Sequence, residues 1–578
     1  LPAAGMDFDD LDDAEGDIEK ERQEELKRQE EAFELEIEEA SEGKPEWVKR
    51  SIRNFRYRKA GKKVLPPGPG EVILPRRLRG SGKMRNDLPP FERLDMKKMG
   101  EMCTQNLNGH WSDMTFPHNT EQLREFGPKW YTDAFHRFGT LPEDNAVTKI
   151  VSVEQLPHSG FDAAGGAGHK AFITLEYKKP DPELHTELFA KFPWDFYESD
   201  TAKQYRMQIS TYSDADSGEL QAYIFMEHLF PFRVPKLYFC DINRKTTNYM
   251  LITERLTFGK RGKVESGKVV EKIERPPFTL WPVCGKYQDF LLEDPLAIYL
   301  TLFRAMGKLA AWDQLGHYNS FLGPPPKYTE EEFTTPFANR RRQKAKRFDL
   351  LSSACGTMID QGIEFATKVA PWAFTERGKD PKMLEQLKRD ICEMAPHFDD
   401  VRTYTASSSD WIGAMHMNLQ ADNAFFWADE EGELDCGCID WCGFQRVPFI
   451  QNFYGCLSGA ESDFLDANEE AIMQTFVSEY ERYGGPHLDW QEVLRRSHLV
   501  FISCAMDSCQ WVERDIYREH PKAEWPKVKS KWDDAFMNKW NVRCRGTTLI
   551  NTFDFWPRRD FKKIFDDWKA GDGKKYIT

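Results

Sequence analysis

The sequence predicts an α+β protein of two lobes, a small β-rich lobe followed by a large helical one, with a helical and extended arm ahead of them. Three observations carry this. From about Ala146 the chain runs through five segments of strand character: "AVTKIVSVEQL" (146–156), "HKAFITLEYK" (169–178), "ELFAKF" (187–192), "VPKLYFCDI" (234–242) and "YMLITERL" (249–256). A single helical segment, "SGELQAYIFMEHL" (217–229), falls between the third and fourth. Beyond about residue 290 the apolar spacing turns helical, interrupted by one β-hairpin, "NAFFWADEEGELDCGCIDW" (423–441), with Gly432 in its turn. The expected division is an acidic helical tail (1–43), a basic Pro/Gly-rich arm and lead-in (44–130), a small lobe (131–256) and a large lobe with a C-terminal extension (257–578).

Composition supports a folded chain. Hydrophobic residues are 40% of 578, with 17 Trp and 41 Phe, enough for a sizeable core. A net charge of -15 disfavours nucleic acid as a main partner. No run of about 18 apolar residues exists, so no membrane span is expected. The 12 Cys are scattered through apolar segments, the pattern of a reducing intracellular compartment. The chain begins at Leu1, and a removed plastid or mitochondrial transit peptide is one explanation.

In the tail, "DIEKERQEELKRQEEAFELEIEEA" (17–40) is rich in helix formers, with Glu24 and Arg28 at the favourable i, i+4 spacing. Its apolar residues (Ile18, Leu26, Phe33, Ile37) are too sparse for a coiled coil, so a solvated single helix is expected. The charge then flips in "KPEWVKRSIRNFRYRKAGKK" (44–63) and "PRRLRGSGKMR" (75–85), on either side of "LPPGPGEVILP" (65–75). Pro66, Pro67, Pro69 and Pro75 remove backbone donors, so 44–85 is expected to lack long helices and to run over a surface. That surface is the protein's own acidic one, a protein partner's, or, as the lesser alternative, RNA or anionic lipid; a plain basic linker fits equally. Residues 86–140 read as a lead-in packed on the lobe behind.

The chemistry-bearing residues fall in a fixed order. Gly165, Gly166, Ala167 and Gly168 lie between two strands, where small residues let backbone N–H groups approach phosphates; a Gly-rich hairpin loop reads the same way. Lys191 ends an apolar strand between Ala190 and Phe192 and is costly to bury unpaired; Glu219 on the following helix is the candidate partner. "HMNLQADN" (416–423) sets His416, Asn418 and Asn423 in a loop. "CIDW" places Asp440 after the hairpin, a hard oxygen ligand suited to Mg²⁺. Phosphoryl transfer needs such parts: donors over the phosphates, a held Lys, oxygens for Mg²⁺ and a group orienting the attacking hydroxyl. Cys436, Cys438 and Cys442 lack the usual zinc spacing and read as small buried residues, so no zinc is expected.

This set resembles the aminoglycoside-phosphotransferase and choline-kinase group of the protein-kinase-like superfamily. "VPKLYFCD…YMLITERL" is most similar to its ecdysteroid-kinase-like branch, over about residues 146–510. The family loop reads His-Gly-Asp-x₄-Asn, followed by an Ile-Asp-Trp motif. The resemblance implies that Lys191 contacts nucleotide phosphates and pairs with Glu219, and that Thr253–Arg255, with Glu254, forms the hinge facing the adenine. It further implies that Asn423 and Asp440 ligate Mg²⁺ beside ATP and that His416 braces the loop. Three positions depart from the pattern. Asn418 stands where the family has its catalytic Asp, Met417 replaces the Gly, and Asn452 falls near a usual acidic residue. Asn accepts hydrogen bonds but not protons. Asp422, four residues on, is a candidate substitute for the base, but it precedes the metal-ligand Asn423 and is expected to point elsewhere. The expectation is a kinase-fold protein that binds MgATP, is catalytically impaired, and acts as a binding or structural subunit through partners on its N-terminal arm. An active ATP-dependent small-molecule O-phosphotransferase is the alternative.

Overall fold

The structure is a computed structural model and describes residues 8–68, 88–89, 92–157, 168–212, 215–265, 268–271, 273–282, 284–325 and 354–577. The small lobe is one antiparallel sheet of five strands: β1 (Val147–Gln155), β2 (His169–Tyr177), β3 (Glu187–Phe192), β4 (Leu237–Asn243) and β5 (Asn248–Glu254). Their order is β1-β2-β3-β5-β4. In β2, Ala171, Ile173 and Leu175 are buried and alternate with partly exposed residues, as a half-covered strand requires. β4 and β5 are buried along their whole length, because helices cover β4 on both sides.

Helix α3 (Gly127–Phe138), which belongs to the expected lead-in, lays Phe135 and Phe138 on Tyr238 and Phe239, ring centroids 5.1 and 4.9 Å apart. On the other side, α4 (Ala215–Met226) buries Leu220, Ala222, Tyr223, Ile224, Phe225 and Met226. The rest of the lead-in is tied by Asp241 of β4, whose carboxylate accepts from the N–H groups of Trp111 (3.0 Å) and Ser112 (2.7 Å). Gly109 makes this approach possible, since a Cβ there would lie 2.1 Å from that carboxylate.

The large lobe is built around α5 (Pro295–Gln314), started by Pro295 after the Asp294 cap and buried on most of its surface. It packs on α7 (Ser462–Arg482), where Gly307 lets the helices close; a Cβ there would be 3.1 Å from the Phe476 carbonyl oxygen. Helix α6 (Pro381–Met394), α8 (Trp490–Trp511) and α9 (Trp540–Phe555) complete the bundle. Strand β6 (Ile412–Met415) leads into the 416–423 loop, and β7 (Ala424–Ala428) and β8 (Leu434–Cys438) form the expected hairpin. No helix among the described residues is long and apolar enough to cross a membrane.

The expectation of an arm without long helices is wrong for residues 44–63. The tail helix α1 (Phe8–Ser41) turns at Gly43 into α2 (Glu46–Lys59). Pro45 sits at the N-cap, where its missing N–H costs nothing, and no Pro or Gly follows until Gly61. Val48, Ile52 and Phe55, at helical spacing, are buried. The density of Pro and Gly after Val64 does not govern this segment. Pro69 and Pro75, with residues 69–87, lie outside the described residues.

The inner face of α2 belongs to the large lobe. Ser51 Oγ donates to Asp435 (3.2 Å) and accepts from Trp427 Nε1 (3.0 Å), and Arg50 donates to the Phe230 carbonyl (3.1 Å). Asp435 is buried and also meets Lys308 at 3.3 Å. On its other face α2 carries α1: Phe33 packs on Tyr57 at 5.6 Å, and Arg53 and Arg56 pair with Glu34 and Glu36.

Candidate functional site

Between the two lobes, Lys191 Nζ stands 2.7 Å from Glu219 Oε2 and 2.8 Å from Asp440 Oδ1. These residues are separated by 28 and 249 positions and come from β3, α4 and the turn after β8. Lys191 and Glu219 side chains are 5% and 7% exposed, whereas Asp440 is 32% exposed, so the carboxylate forms the open wall of the cleft. Burial pushes the Asp440 carboxyl up, but the adjoining Lys191 ammonium outweighs it and holds the group well below the usual carboxylate range. Glu219 lies deeper, and there burial wins and raises it. Lys191 stays charged, held well above its ordinary range by the two carboxylates despite burial.

Asp440 has φ +61, and this left-handed turn directs its carboxylate back across the cleft. Its neighbour Trp441 fixes the turn. That ring stacks 4.0 Å from Phe230 and 5.8 Å from Phe232, and lies 4.8 Å from His416. His416 braces the loop as expected, since Nε2 donates to the Ile439 carbonyl (2.8 Å) and Nδ1 accepts from the Asn418 N–H (3.2 Å). The bond accepted by Nδ1 requires the neutral ring, and burial accordingly lowers its pKa.

Asn418 is exposed to the cleft, and its main chain is fixed from three directions. Its N–H meets His416, while its carbonyl accepts from Asn423 Nδ2 (2.7 Å) and Gln420 N–H (3.0 Å). Asn423 is therefore oriented by its amide nitrogen, leaving its amide oxygen for another partner, and its carbonyl accepts from the N–H of Ile439 (3.0 Å), beside Asp440. Met417 is held by Asn452, whose Nδ2 lies 3.6 Å from the sulfur. Asp422 does not serve the base position; its carboxylate faces Lys286 Nζ at 3.4 Å.

The glycine readings divide. Gly165 and Gly166 lie outside the described residues. Gly168 is required by packing, since a Cβ there would be 2.4 Å from the Tyr249 hydroxyl and 2.6 Å from the Phe192 carbonyl. Glu254 ends β5 with its carboxylate committed to Arg233 (2.9 Å) and His185 (2.9 Å). A nucleotide at the hinge would therefore meet main chain rather than this side chain.

Two residues escaped the sequence reading. Lys170 is the cross-strand partner of Lys191, and burial together with the Lys191 charge lowers it to about 7. Only strand register reveals it. Lys286 comes from the connection between the lobes, where no motif marks it.

For a divalent cation, the described residues contain no group of three or more His, Cys, Asp or Glu able to hold one. Asp440 and the Asn423 amide oxygen are hard donors, enough for Mg²⁺ that draws its remaining ligands from phosphates and water. The donor set fits.

A strand lysine paired with a glutamate on the next helix, under an antiparallel sheet and over a helical lobe, defines the two-lobed kinase-like fold. No family model and no curated protein matches the chain. Solved structures do. The GDP complex of wild-type aminoglycoside 2'-phosphotransferase-IIIa is 12% identical, covering 66% of this chain and 91% of that one at a TM-score of 0.31. Choline kinase LicA from Streptococcus pneumoniae is 9% identical over 70% and 94%, TM-score 0.27. A spectinomycin phosphotransferase with ADP and spectinomycin is 12% identical over 69% and 94%, TM-score 0.28. Scores this low add no weight to the geometry of the site.

Proposed function

We propose that this chain binds MgATP between its lobes, transfers phosphoryl groups poorly or not at all, and serves as a binding or structural subunit. What supports this is the Lys191–Glu219–Asp440 set between the lobes, together with an exposed Asn418 at the loop position where the resembled family carries its Asp. Lys191 holds the nucleotide phosphates, exchanging its bond to Asp440 for phosphate oxygens while Glu219 keeps it in place. Asp440 and Asn423 hold Mg²⁺, which supplies charge neutralisation at the phosphates when bound. Asn418 orients a hydroxyl but cannot take its proton, and loss of a general base costs about 10²–10⁴ in rate. The subunit role rests on this loss and not on α2, whose inner face is already covered by the large lobe.

An active small-molecule O-phosphotransferase is the second reading, favoured by the hydrogen bonds that hold the Asn418 main chain in place. Calorimetric titration with MgATP, on the wild type and on Lys191→Met, tests binding. Binding by the wild type, weakened at least about tenfold in the variant, is expected. A wild type that takes up no nucleotide at millimolar concentration overturns the proposal. Turnover of any small alcohol at about 1 s⁻¹ or faster selects the second reading.

A further inference from the structure

Away from the cleft, two cysteines face each other across a helix pair. Cys355 lies in the helix at 354–364 and Cys392 in α6, with their sulfurs 3.6 Å apart. The two helices are held together independently of the thiols. Lys388, one turn before Cys392, pairs with Asp360 at 2.7 Å. Through the same face the 354–364 helix also meets α8, with Cys355 Sγ 3.6 Å from Met506 Sδ. Gly362 allows this seating, since a Cβ there would be 2.8 Å from Cys509 Sγ. A disulfide needs about 2.05 Å between sulfurs, so the two side chains must rotate and close a 3.6 Å gap for the bond to form.

The two thiols differ in a way that sets an order of events. Cys355 is 1% exposed, and burial together with the neighbouring Cys392 pushes its thiol up to about 12. Cys392 is half-buried and reachable from solvent. The Lys388 ammonium lies on the same side of the helix pair, since a Cβ added at Gly356 would be 4.0 Å from both Lys388 Nζ and Cys392 Sγ.

We infer that Cys355 and Cys392 form a dithiol modification site, oxidised by low-molecular-weight disulfides of the glutathione class to a bond that staples the 354–364 helix to α6. Cys392 thiolate attacks one sulfur of the oxidised reagent. That S–S bond breaks, and one thiol leaves with the proton Cys392 gave up. Cys355 thiolate then attacks Cys392 Sγ, forming the protein disulfide and expelling the second thiol with the Cys355 proton. Two protein thiols are oxidised and one disulfide is reduced to two thiols. The high pKa of Cys355 makes the second step the slow one.

The test treats the full-length protein with oxidised glutathione at neutral pH, traps free thiols by alkylation and maps peptides by mass spectrometry without reduction. A 355–392 crosslink, preceded by glutathione on Cys392, is expected. Cys355→Ser should retain the glutathione adduct on Cys392, and Cys392→Ser should leave Cys355 unmodified. The crosslinked protein should melt a few degrees higher, reversibly on reduction. Both cysteines remaining free to alkylate, or Cys392 crosslinked to any other cysteine, overturns the inference. Because the mapping is done on the wild type, the outcome does not depend on either variant folding, nor on nucleotide binding.

Discussion

Asn418→Asp is the substitution that separates a kinase site lacking its base from a cleft that has lost the reaction altogether. The main chain at this position is already set by His416, Asn423 and Gln420, so a carboxylate would enter a preformed loop with no backbone rearrangement. Restoring a general base is worth about 10²–10⁴ in rate, or about 2.7–5.4 kcal/mol of barrier. Two features favour the lower end. The side chain is exposed, so water screens the new charge. Met417 is also held beside the site by Asn452, where its stem crowds an acceptor. We therefore expect a gain of about 10²-fold. The assay follows ADP release with MgATP, first with water and then with a panel of small alcohols as acceptor, and nucleotide affinity is measured in parallel. Unchanged turnover in a variant that still binds MgATP would refute the assignment of Asn418 to the base position.

Three further outcomes follow from the same structure. Lys191→Met leaves Glu219 and Asp440 facing each other without their shared cation, at a cost of about 3–5 kcal/mol for a broken buried pair; a loss under about 1 kcal/mol in urea unfolding would mean the pair is solvated. Backbone amides of 48–58 should exchange as slowly as those of the large lobe's core, since α2 is anchored to Asp435 and Trp427; exchange at the rate of a frayed helix would contradict that docking. Burial raises Asp216 from the ordinary carboxylate range to about 7, so the folded chain keeps a proton that the unfolded chain has released. Stability from this group is therefore present below about pH 4 and is lost as pH rises to 7. Asp216→Asn should stabilise the protein at pH 8 relative to wild type and change little near pH 4, as chemical denaturation at the two pH values would show; an equal effect at both would remove Asp216 as the titrating group.

The sequence by itself determined the strands, the helix carrying Glu219 and the hairpin before Asp440. These are local statements: alternation, apolar runs and loop spacing are written along the chain. Lys191 was marked as a charge costly to bury unpaired, Glu219 as its partner on the next helix and Asp440 by its place after the hairpin, while the bracing role of His416 came from the family resemblance. Over 44–63 the helical spacing of Val48, Ile52 and Phe55 outweighs the prolines after Val64, which lie beyond the end of the helix.

Only the tertiary structure decided the rest. Lys170 lies opposite Lys191 through strand register. Lys286 reaches Asp422 from a connection with no motif, and Glu254 is consumed by Arg233 and His185. Cys355 meets Cys392 because two helices pack there. In each case the placement follows from packing and pairing between groups that are distant in sequence, and a single chain read in order carries no record of which distant groups will share one buried volume.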